Sequence, residues 1–135
     1  MIEAGIYQYL IADPGVSSWV SGRVFGSRLP KNCTLPAIVW TVIHTQDLGY
    51  TTQGASGLRK KAFQFDSYAL AYGDSVKVSD AIRSILQSYS GILPDGSSVN
   101  GCIITQDMDM PYEPSASGQV QRHLLSVDVI YFCPS

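Results

Sequence analysis

The spacing of hydrophobic positions along this chain switches between three or four residues and two, and each switch marks an element. Ile2, Ile6, Tyr9 and Leu10 recur at helical spacing, and the segment stops at Asp13-Pro14-Gly15. Asp13 can cap a second, short helix with Pro14 in its first position, which places Val16, Trp19 and Val20 on one face and ends at Gly22. Arg23-Val24-Phe25 reads as a short extended lead into a loop over 27–32, and Leu35-Pro36 delivers the chain into a strand. That strand, 37–45, is rich in β-branched and aromatic residues and apolar on both faces through much of its length, as a central strand is. Residues 46–57 contain three glycines and no periodicity and read as a long hairpin loop.

Alternation returns over 58–70, with Phe63, Phe65 and Ser67 on one side and Gln64, Asp66 and Tyr68 on the other. Asp74 or Ser75 can cap a third helix, in which Val78, Ile82, Ile85, Leu86 and Tyr89 share a face before Gly91 stops it. A tight turn at 94–97, a short strand from Val99 to Gln106, an irregular loop over 107–118 and a long strand from Gln119 to Phe132 complete the pattern. The order helix, helix, strand, strand, helix, strand, strand predicts an α+β domain. Its expected form is a mostly antiparallel four-stranded sheet with two N-terminal helices and one long amphipathic helix packed on one face. No repeat or linker divides residues 1–135, so one domain is expected, and 45% hydrophobic residues suffice for its core.

Only 15% of residues are charged and the formal net charge is -2, so no overall field draws the chain to nucleic acid or to an anionic membrane. No apolar run reaches the ~20 residues of a membrane span, and Glu3 stands where a signal peptide would be basic, so the chain is expected to be cytosolic when made. Cys33, Cys102 and Cys133 are odd in number and widely spaced, which fits neither a disulfide framework nor a zinc or redox pair. They read as three buried or half-buried thiols, and a cysteine-dependent enzyme built with His44 or His123 has no local support. His123 is expected to be solvated at the start of the last strand. Asp107, Asp109 and Glu113 read as a solvated acidic loop without the rhythm of a calcium site. No catalytic, metal or cofactor site is assigned.

Arg59-Lys60-Lys61 holds a third of the basic residues, but alternation sends Lys60 to the face opposite Arg59 and Lys61. A split cluster is a poor DNA track and suits an edge or an interface. Tyr50 and Tyr112 stand on the two long loops, where core packing does not require them and where tyrosine favours protein contacts. The candidate interface set is therefore Tyr50, Arg59, Lys61, Tyr112 and Glu113.

The stretch from Gly54 to Ala69 has the pattern Ser56-Gly57-Leu58-Arg59, two lysines, then Phe63-Gln64-Phe65-Asp66-Ser67-Tyr68-Ala69. With Asp13-Pro14-Gly15-Val16, Gly22-Arg23-Val24, Leu35-Pro36 and Tyr112-Glu113-Pro114 in that order, it resembles the small tail-completion proteins of tailed bacteriophages, a group typified by tail-to-head joining and tail-terminator subunits. The resemblance implies a structural virion protein and not an enzyme. It implies a ring, hexameric on the tail, at the head-proximal end of the tube, in contact with the tail-tube protein and the head connector or completion protein. It further implies assembly in the host cytoplasm, DNA passing through the lumen without specific binding, and no membrane partner. A head-completion adaptor or a tail-tube subunit is the alternative within the same class.

Overall fold

The computed structural model describes the backbone of residues 2–26, 34–51, 54–94, 96–115 and 118–132, and their side chains except at 47–51, 54–57, 110–115 and 118–120. The elements are α1 (Ile2–Ala12), α2 (Pro14–Val20), β1 (Val24–Gly26), β2 (Ala37–Thr51), β3 (Gly54–Ala69), α3 (Tyr72–Leu86), β4 (Gly91–Ile92), β5 (Ser98–Ser115) and β6 (Gly118–Phe132). Cys33 and Cys133 lie outside the described residues.

The expected four-stranded sheet is corrected to a six-stranded mixed one, in the order β1-β2-β3-β6-β5-β4, curled into a half-barrel. The extended lead at 23–25 becomes β1, which pairs parallel to β2 with Val24 opposite Ile38. A three-residue strand carries too little alternation to be legible alone; its partner, beyond a loop, makes it a strand. Gly26 ends it against Trp40, and a Cβ there would lie 3.0 Å from the indole Cζ2, so any larger residue would require the indole to shift. The short β4 likewise exists through its pairs with Val99 and Ser98. The helix stop therefore falls earlier than Gly91. Gln87 caps α3 through its N–H to the Arg83 carbonyl, and Ser88 takes the left-handed conformation at φ 59°.

Both stretches read as irregular loops are corrected too. β2 and β3 pair as far as Thr51 and Gly54, and β5 and β6 as far as Ser115 and Gly118, so each forms a long hairpin arm. Backbone ladder bonds hold them where side-chain periodicity fails. Register shifts at Val42/His44, Val99/Gly101, Ile104/Gln106 and Met110/Glu113 reset the alternation, which hides these strands from a period-two reading, and bulges of this kind also bend a sheet.

The inner face of the half-barrel carries the core. Phe63 and Phe65 of β3 stack with centroids 5.9 Å apart and pack with Leu125, Val127 and Val129 of β6 against the helices. α1 contributes Ile2, Ile6 and Leu10, and α2 contributes Val16 and Val20. The α2 turn starts as its sequence requires: Asp13 Oδ2 accepts from the Val16 N–H at 3.1 Å, with Pro14 in the first turn. On α3, Val78, Ile82 and Leu86 are fully buried, whereas Ile85 only packs partly against the core. Neither Asp74 nor Ser75 caps α3. It starts at Ala71 without a side-chain cap, and the Ser75 hydroxyl donates to the Tyr72 carbonyl.

Candidate assembly surfaces

The strand register decides where the arms point. β3 and β6 are antiparallel, with Leu58 opposite Phe132 at one end and Ala69 opposite Gln121 at the other. The β2–β3 arm runs on past Phe132, the last described residue of β6, to its tip at Thr51 and Gly54. The β5–β6 arm runs on past Ala69 to its tip at Ser115 and Gly118. The two arms therefore leave opposite ends of the sheet, each overhanging it by roughly 10 to 13 Å at ordinary strand rise.

This geometry separates the sequence-derived candidates into two groups. Tyr50, opposite Ala55, stands near the tip of the β2–β3 arm, and Arg59 and Lys61 lie on β3 at its root. Tyr112 and Glu113 stand on the other arm, beside a bulge, with Glu113 opposite Val120. Lys61 also has an internal partner, since its Nζ lies 2.7 Å from Glu3 Oε1 and ties α1 to the sheet. Lys60, on the opposite face as alternation requires, stands 3.8 Å from Asp128.

The signature residues of β3 are explained by a second polar group. Asp66 is buried and accepts from Arg122 Nη2 at 3.0 Å and from Gln64 Nε2 at 3.1 Å, while the Arg122 guanidinium lies over the Tyr68 ring. Gln64, Asp66 and Tyr68 thus form, with Arg122 of β6, a partly buried polar cluster around one ion pair on the face opposite the helices.

The cluster that sequence reasoning missed sits at the root of the β5–β6 arm. His123 is not solvated; it is 7% exposed, with both ring nitrogens held by carboxylates. Nε2 contacts Asp107 and Nδ1 lies 2.7 Å from Asp109 Oδ1. The second oxygen of each carboxylate goes to α3: Asp107 Oδ2 accepts from Arg83 Nη1 and Asp109 Oδ2 from the Tyr72 hydroxyl at 2.8 Å. Burial alone would lower the His123 pKa, but the hydrogen bonds it donates to Asp107 and Asp109 outweigh it and raise the value. Asp107 and Asp109 are lowered. Burial opposes this at Asp107 and is outweighed by the bonds to His123 and Arg83, while the His123 and Tyr72 bonds lower Asp109. The acidic loop is thus strand as far as Ser115, and its Asp107 and Asp109 carboxylates are engaged. An Asp-x-Asp pair with period two was the available signal, but only the register places it opposite His123.

Cys102 is a free, buried thiol whose pKa is pushed up to about 11 by burial, the reverse of what a nucleophilic cysteine needs. Among the described residues, no group of three or more His, Cys, Asp or Glu side chains is arranged to hold a metal ion.

The chain is thus an α+β half-barrel with two projecting hairpin arms. The sequence profile of the tail completion protein gp17 family matches residues 4–101, and the chain belongs to this family of structural phage tail proteins. Its fold is similar to that of a chain in the virion of a native gene transfer agent (GTA) particle, at a TM-score of 0.75 and 15% identity, with 97% of this chain and 94% of that chain covered. No curated protein sequence matches it.

Proposed function

We propose that this chain is the ring-forming subunit that completes the phage tail at its head-proximal end and joins it to the head. Six copies close a ring through heterologous contacts, which generate a closed assembly when the rotation between neighbours closes. One face of the ring caps the tail-tube protein and the other receives the head connector or completion protein. DNA passes through the lumen without specific binding, in keeping with a net charge of -2. The subunit is made in the host cytoplasm and ends in the neck of the virion.

The observation that carries this reading is the pair of arms at opposite ends of one sheet. A joining ring needs two distinct contact surfaces, and oppositely directed arms supply them without any bond chemistry. The interface candidates divide accordingly: Tyr50, Arg59 and Lys61 serve one end, and Tyr112 and Glu113 the other.

The test is electron microscopy of particles assembled with Tyr50→Ala plus Arg59→Glu, and separately with Tyr112→Ala plus Glu113→Ala, with circular dichroism confirming that each subunit folds. Each pair is expected to abolish tail completion, giving tails of uncontrolled length or tails unjoined to heads. Joined tails of normal length in both cases would overturn the site assignment. Normal virions formed without the protein would overturn the function.

A further inference from the structure

We propose that His123 is a latch at the root of the β5–β6 arm, fastening β6 to the two β5 aspartates that hold helix α3, and that the latch is complete only while both ring nitrogens carry a proton. A neutral imidazole has one N–H and one lone pair, yet each nitrogen here faces a carboxylate oxygen, which can only accept. Both contacts are hydrogen bonds only in the imidazolium form. Loss of the proton turns one of them into two acceptors facing each other beside a ring that is itself buried, although Asp109 is half exposed.

The charges around the ring balance only with that proton in place. β5 supplies Asp107 and Asp109, and α3 supplies Arg83 and the neutral Tyr72 hydroxyl. From β3, the residue opposite His123 is the uncharged Ser67, while Asp66 and Arg122 neutralise each other on the other face. Two carboxylates thus face two cations, and deprotonation leaves a net negative charge at the root. Each aspartate bonds both His123 and a side chain of α3, so losing one His123 bond leaves that aspartate attached to the helix and removes one of the two links through which β6 is held to it. The strand pairs Asp107 with Leu125 and Asp109 with His123, and the arm begins just beyond them. The latch therefore sets how firmly the arm is held, and its consequence for docking rests on the function proposed above.

The hydrogen bonding of His123 is read directly by nuclear magnetic resonance of the histidine-labelled full chain between pH 5 and 9. Two ring N–H groups at pH 6.5 and a midpoint above the ordinary value of about 6.5 are expected. A single N–H at pH 6.5, or a midpoint at or below the ordinary value, overturns the proposal. Hydrogen exchange corrected for its intrinsic pH dependence supplies the second readout. Protection of 105–109 and 121–126 is expected to fall about tenfold from pH 6 to pH 9 while 61–65 keeps its own. His123→Gln should abolish that pH dependence. Should that variant not fold, Asp109→Asn, at the more exposed carboxylate, is expected to lower the His123 midpoint. PH-independent protection of the root, or an unmoved midpoint in Asp109→Asn, overturns the latch. These local readouts do not involve the ring, so they fail independently of the proposed function.

Discussion

Single side chains in this protein differ most in whether their partners are near in sequence. Asp13 caps α2 three residues ahead, and that contact follows from the sequence because it is local. His123 looks solvated beside Arg122 in sequence, but its partners lie 14 and 16 positions away across a ladder, and no local rule reaches them. Cys102 lies between these cases: its place on an apolar strand suggests burial, and the structure shows the consequence for its thiol. With the pKa raised to about 11, the native thiol is a small fraction thiolate at pH 8. A thiol reagent at that pH is expected to modify Cys102 only after denaturant is added; rapid labelling in the native state would contradict its burial.

Among the elements, α3 was legible from its apolar stripe, but the stripe is narrower than its sequence suggests. Ile82 is fully buried beside Val78 and Leu86, whereas Ile85 lies at the margin, where its carbonyl accepts from the Tyr9 hydroxyl at 3.3 Å. Ile82→Ala is expected to cost about 2 to 5 kcal/mol in urea denaturation, and Ile85→Ala clearly less, since fewer contacts are lost and less cavity remains. Equal costs would place the α3 face incorrectly. The long strands were legible only in part. β2 and β5 read correctly at their apolar ends, over 37–45 and 99–106, and vanished where bulges broke alternation and polar residues took over. Their outer halves are strands because a neighbouring strand supplies hydrogen bonds, not because their side chains demand it.

At the scale of the whole molecule, the cluster at the arm root couples stability to pH. His123 has a raised pKa, so its stabilisation is complete below the unfolded value near 6.5 and is lost as pH rises through the higher folded value. Asp107 and Asp109 are lowered, so theirs is complete above the unfolded value near 4 and is lost as pH falls through the lower folded ones. The urea midpoint is therefore expected to be highest between about pH 4.5 and 6.5 and to decline on the alkaline side. In His123→Gln the alkaline decline should shrink. A midpoint that rises steadily from pH 6 to 9 in the native chain would contradict the arrangement.

By itself the sequence determined what rests on local periodicity and local chemistry: three helices, the apolar strand cores, the Asp13 cap of α2, and the motifs that place the chain in its family. Tertiary structure alone decided what rests on register. It made β1 and β4 strands, turned two apparent loops into arms directed to opposite ends, buried Asp66 beside Arg122 and closed two carboxylates on His123. The physical reason is common to all of these. A strand's pairing energy comes from another part of the chain, and a shift of one residue in register exchanges which side chains meet, so the identity of partners is a property of the folded sheet and not of either strand.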